Sequence, residues 1–108
     1  MVKKILEKAG FVENKTFKET RFLKPPTVTY CVYEDAMERR GGDGYNCITE
    51  HDYTVEMYQY EPDKDAEKRV EEALDGLGIE YTKQPRYFIQ EEGLFQIIYE
   101  FGYITKGA

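Results

Sequence analysis

The 108-residue chain has no serine and no tryptophan, a single histidine, His51, and only two cysteines, Cys31 and Cys47. Without serine the commonest hydroxyl nucleophile is gone, and one imidazole must supply any base, so a set of nucleophile, base and orienting group is hard to assemble. Cys31 or Cys47 with His51 is the combination that remains, but nothing around Cys47 reads as a helix N-terminus that would lower its thiol pKa. Glu91 and Glu92 imitate a carboxylate pair, yet adjacent residues in a hairpin point to opposite faces and cannot serve one substrate. A non-enzymatic protein is expected.

Metal and cofactor motifs are equally scarce. Cys47 and His51, with Asp43 or Asp52, match no closed zinc spacing, and cytosolic thiols stay reduced, which argues against a Cys31–Cys47 disulfide. Gly41-Gly42-Asp43-Gly44 invites a phosphate-loop reading, but Tyr45-Asn46 follows where Lys-Ser/Thr and a helix are required. The expectation is no cofactor and no metal.

Long apolar runs are missing too: none approaches the roughly 20 residues that span a bilayer, and the first eight residues carry lysines where a signal peptide needs an apolar stretch. Cytoplasmic synthesis without membrane association is expected. Basic charge is in deficit, 15 Lys and Arg against 21 Asp and Glu for a net charge of -6. The densest basic clusters are the pairs Lys3-Lys4 and Arg39-Arg40, so no stripe exists to draw in phosphates, and sequence-specific nucleic-acid binding is not expected.

What the chain does have is globular balance, with 41% hydrophobic and 33% charged residues, in a length suited to one domain over 1–108. Residues 51–60 are its organising stretch. Tyr53, Val55 and Met57 alternate with Thr54, Glu56, Tyr58 and Tyr60 in the two-residue period of a half-buried strand. Residues 27–33 form a second strand, entered through Pro25-Pro26, with Val28, Tyr30 and Val32 as its expected core side. Residues 86–90 and 94–104 read as a closing hairpin about Glu91-Glu92-Gly93, with Phe95, Ile97, Tyr99 and Phe101 on one face. Its other face, Leu94, Gln96, Ile98 and Glu100, is apolar enough to suit cover by a helix or a neighbouring subunit.

Two helices complete the pattern. Val2, Ile5, Leu6 and Ala9 recur at helical spacing before Gly10-Phe11, and Ala66, Val70, Ala73, Leu74 and Leu77 do so before Gly78-Ile79, each pair being a helix stop. Pro62-Asp63 opens the second helix, with acids in its first turn. Residues 12–24 are irregular, with a turn at Asn14 and room for a short strand. The fold class is therefore α+β: a mainly antiparallel sheet of four to five strands with two helices packed on one face. Residues 34–50 separate the two best strands as a long arm with three glycines in four positions, expected to be mobile alone and ordered by a partner.

The order helix, extended segment, strand, glycine-containing arm, strand, acidic helix, hairpin has a counterpart. The stretches Glu38-Arg39-Arg40-Gly41-Gly42-Asp43-Gly44, Glu50-His51-Asp52-Tyr53-Thr54-Val55-Glu56-Met57-Tyr58 and Glu91-Glu92-Gly93-Leu94-Phe95-Gln96 resemble the tail-completion or tail-terminator proteins of long-tailed bacteriophages and prophages. The resemblance implies a small, non-enzymatic α+β protein whose ring, usually a hexamer, caps the tail tube and joins it to the head connector. It implies homo-oligomerisation, tail-tube and head-connector partners, assembly in the bacterial cytoplasm, and a final place in the tail or neck of the virion. Matching positions in the arm, Arg39, Arg40, Gly42 and Asp43, are assigned to contacts, and Tyr58 and Tyr60 to contacts from the strand. An acidic lumen would let DNA slide by repelling its phosphates. The competing expectation is a regulatory domain binding a small metabolite in a pocket near Tyr53, Tyr58 and His51.

Overall fold

A computed structural model describes residues 1–40 and 48–106. In chain order its elements are α1 (Val2–Lys8), β1 (Phe17–Glu19), β2 (Tyr30–Arg40), β3 (Ile48–Gln59), α2 (Lys64–Gly76), β4 (Thr82–Lys83), β5 (Tyr87–Ile89) and β6 (Leu94–Lys106). The strands make one six-stranded sheet of order β1-β2-β3-β6-β4, with β5 also on β6. β1 runs parallel to β2 and every other pair is antiparallel. The sheet is thus mixed but mainly antiparallel, as expected, and its six strands among the described residues are close to the four to five expected, β1 and β4 being too short to show a period.

Both helices end as their glycines require. At α1, Phe11 N–H donates to Leu6 O and Gly10 N–H to Glu7 O; at α2, Ile79 N–H donates to Leu74 O and Gly78 N–H to Asp75 O. These paired bonds need a left-handed residue, which Gly10 (φ 95°) and Gly78 (φ 69°) supply without a Cβ clash. At the other end of α2 the Asp63 carboxylate accepts from Ala66 N–H at 3.0 Å and from the Thr29 hydroxyl at 2.6 Å. One side chain therefore caps the helix and holds the segment leading into β2.

The core lies between the helices and one face of the sheet. Ile5, Leu6, Val70 and Leu74 from the helices meet Cys31 and Tyr33 of β2, Tyr53, Val55 and Met57 of β3, and Ile97, Tyr99 and Phe101 of β6. The periods expected for β3 and β6 hold. On β2 the expected side is reversed: Cys31 and Tyr33 enter this core, while Tyr30 and Val32 are buried on the opposite face and Val28 is 55% exposed ahead of the strand. The reversal follows from register, since β2 begins only at Tyr30 and pairs Cys31 with Met57, so antiparallel partners that face one way include Cys31.

The arm is also different from its expectation. Residues 34–40 and 48–50 continue the two strands, paired without interruption to Arg40↔Ile48. Gly42 and Asp43 lie outside the described residues, as do Cys47 and the rest of 41–47.

An ionic cluster ties α2 to the β4–β5 edge. Glu67, 6% exposed, accepts from Arg86 at 2.7 Å and from the Gln59 amide at 3.1 Å, and pairs with Lys83 at 2.9 Å. Burial pushes its carboxyl up, but Arg86, Lys83 and Gln59 outweigh this and hold it at about 2. Lys83 also reaches Glu71 at 2.8 Å, and Glu71 accepts from the buried Tyr99 hydroxyl at 2.7 Å. β4 and β5 lie consecutively on the same edge of β6. Between them Pro85 has no N–H to offer, so the ladder is interrupted there.

Candidate functional site

Beyond the helices, β2, β3 and β6 run on together as a three-stranded blade. The last core positions, Tyr33, Tyr53 and Phe101, are followed by residues 34–40, 48–52 and 102–106, paired strand to strand to the tip, where Ile48 faces both Arg40 and Lys106. The molecule is accordingly long, 50 × 29 × 24 Å.

Alternation gives the blade two different faces. On the odd-numbered face, continuous with the core, His51 Nδ1 lies 3.0 and 3.1 Å from the two Asp35 carboxylate oxygens. The imidazole stacks on Tyr53 at 5.4 Å and meets Tyr103 at 6.4 Å, and Met37 beside it is 59% exposed. The carboxylate fixes the ring, yet among the described residues this pair has no cysteine partner in reach: Cys31 is opposite Met57, about 20 Å along β3 from His51 at roughly 3.3 Å per residue, and Cys47 lies outside the described residues. Burial also pushes the Cys31 thiol far up from its ordinary range, the reverse of what a nucleophile needs.

On the even-numbered face, β2 carries Glu34 and Glu38, β3 carries Glu50, Asp52 and Glu56, and β6 carries Glu100. Register assembles them: Glu34 and Glu100 flank Thr54, Asp52 lies between Ala36 and Gly102, and Glu38 faces Glu50. From 32 to 38, 50 to 58 and 94 to 104 the even positions hold no lysine or arginine. At the base of this face Tyr30 stacks on Tyr58 at 5.2 Å, with Phe22 edge-on to Tyr30 at 5.6 Å. Burial raises the Tyr30 phenol to about 12.

The four described contact residues expected from sequence, Arg39, Arg40, Tyr58 and Tyr60, are spread over this blade and its base. Arg39 and Arg40 are the last residues of β2. Tyr58 is half-buried, donating to Glu56 at 2.7 Å and accepting from Gln96 at 3.0 Å, and burial with the Glu56 hydrogen bond pushes its phenol well above the ordinary range. Tyr60 is 41% exposed and donates to Pro26 O at 2.6 Å. The pocket imagined around Tyr53, Tyr58 and His51 does not form, because Tyr53 and His51 lie on the odd face and Tyr58 on the even one.

An open groove of about 730 Å³ lies elsewhere, between Phe11, Thr29, Tyr60 and the start of α2. Its Asp63 and Arg69 are engaged by the fold: Arg69 Nε donates to Ala9 O at 2.8 Å and its guanidinium pairs with Asp65. What sequence reading missed was the acidic face and Asp35. Continuing the two-residue period of 51–60 back through the arm would have found both.

No family model matches this chain, and a search of curated proteins returned no match. Among solved structures, a chain from the virion of a native gene transfer agent (GTA) particle has a similar fold, with a TM-score of 0.61 and 11% identity over 95% of this chain and 84% of that one.

Proposed function

We propose that this chain is a structural virion protein of a tailed bacteriophage or prophage, a tail-completion or tail-terminator protein. Its copies form a ring, hexameric as in the proteins it resembles, that caps the tail tube and joins it to the head connector. The observation that carries the reading is that a fold shared over nearly the whole chain with a component of a gene transfer agent virion meets the resemblance reached from sequence alone. The protein performs no chemistry in this role; its function lies in surfaces.

The acidic face supports the same reading. If the even side of the blade lines the ring, Glu34, Asp52 and Glu100 of each copy face the channel, and DNA phosphates are repelled at their level. A basic lining would bind the duplex through counterion release and arrest it.

Negative-stain microscopy of the purified protein, alone and with tail tubes, tests the proposal. Annular particles with a central hole, and tubes closed by one such ring, are expected. A protein that stays monomeric by light scattering at high micromolar concentration and leaves tube ends bare would refute it.

A further inference from the structure

The blade has two unpaired edges. On one side β1 covers β2 only as far as Tyr33, leaving residues 34–40 without an outer partner strand among the described residues. On the other, β4 covers β6 only as far as Glu100, leaving 101–106 in the same state. Open edges of this length are ready templates for another strand, and proteins that stay single cover, shorten or charge them.

These two edges match one another. They lie at the same end of the molecule, since Arg40, Ile48 and Lys106 share the tip. They are nearly equal in length, seven residues against six. β2 and β6 are each antiparallel to β3, so they point the same way, and a copy rotated about an axis along the strands presents its β6 parallel to β2 of its neighbour. Their chemistry differs: 34–40 holds the acids Glu34, Asp35 and Glu38 followed by Arg39 and Arg40, whereas 101–106 holds no acid and Lys106 as its one charge.

We infer that the blade is an assembly element in which the β6 edge of one copy adds to the β2 edge of the next. This head-to-tail contact uses two different surfaces, so it propagates from copy to copy and closes only as a ring. It rests on the ring reading above and names the surface that builds the ring. It also accounts for Ile104, 57% exposed at the β6 edge, which would pack over the neighbour's Ala36 and Glu38.

Cross-linking of singly substituted chains tests this without confusing it with contacts inside a copy. Ala36→Cys and Gly102→Cys are each made in a Cys47→Ala background. Ala36 is exposed, and a Cβ at Gly102 meets Asp52 Oδ1 and His51 O at an ordinary 3.7 Å. Each variant alone and the two mixed are treated with a short bismaleimide after subunit exchange, and ring formation is read separately by microscopy. Mixed chains should give a covalent dimer at least ten times the yield of either chain alone, within intact rings. Rings without the mixed cross-link overturn the edge pairing and leave the ring reading standing. Cross-links from Ala36→Cys alone, with particles no larger than dimers, show a two-fold β2 contact and overturn both.

Discussion

Replacing Glu67 by glutamine isolates the ionic cluster that fastens α2 to the outer edge of the sheet. The carboxylate is buried and touched by Arg86, Lys83 and Gln59, which hold its pKa near 2 against an ordinary 4.5. A carboxyl that is more acidic folded than unfolded contributes stability that is complete above pH 4.5 and is lost as the pH falls toward 2. At about 1.4 kcal/mol for each tenfold change in proton affinity, that contribution is about 3 kcal/mol. The Glu67→Gln protein loses the anion and leaves Arg86 and Lys83 facing an amide, so at pH 7 it should be destabilised by roughly 2–3 kcal/mol, and its melting point should fall by about 10–20 °C. The difference between the two proteins should shrink by about half as the pH drops from 5 to 3, because acid removes from the parent what the substitution has already removed. Urea unfolding at pH 7, 5, 4 and 3 measures this, urea being preferred because it does not screen ion pairs. A stability difference that stays constant from pH 7 to pH 3 would refute the assignment of a buried anion.

Asp63→Ala removes both the α2 cap and the Thr29 hydrogen bond, and should cost about 1–2 kcal/mol by urea titration. Thr29→Val, which spares the cap, should cost less than half as much. Gly10→Ala and Gly78→Ala place a Cβ on left-handed residues and should each cost about 1–2 kcal/mol; at Gly10 the added atom meets Arg69 Nε at an ordinary 3.6 Å, so the two losses should be similar. Glu34→Lys with Asp52→Lys, both at exposed positions of the even face, should leave the melting point within about 3 °C. The same pair should create salt-sensitive retention on immobilised duplex DNA that the parent lacks.

Much of this fold was legible because burial on one side of a strand writes a two-residue period. Tyr53, Val55 and Met57, and Ile97, Tyr99 and Phe101, enter the core as that period requires. The two glycine stops were legible because their hydrogen bonds need a left-handed residue that glycine supplies. Three features were not. β1 and β4 have three and two residues, too few for a period. The core side of β2 depends on where its ladder with β3 begins, a long-range fact that Pro25-Pro26 did not mark. In sequence the blade reads as a loop because Glu34, Asp35, Glu38 and Arg39 suggest solvent, and solvent is where Glu34, Glu38 and Arg39 lie. Charged residues exclude a buried strand but not a strand whose backbone is paired while both faces stand clear of the core. The acidic face was hidden with it, since six acids scattered over three segments become one surface only through register.

Register also protects the division of labour between the two faces. A slip of β3 by one residue would exchange Tyr53, Val55 and Met57 for Thr54, Glu56 and Tyr58 beneath the helices. It would bury a carboxylate that now accepts from Tyr58 on the open side, and burial of an unpaired charge costs several kcal/mol. The aromatic stack of Tyr30 on Tyr58 and the buried Gln59, which bonds Asp63 and Glu67 at the start of α2, would be lost in the same step. The lower half of β3 therefore fixes the register for the whole strand, and the upper half inherits it without needing a core of its own. This lets 34–40 and 48–52 carry charge in place of packing, so substitutions at even positions near the tip should alter assembly with little change in melting, while those at odd positions from 53 to 59 should unfold the protein before its surfaces can be tested.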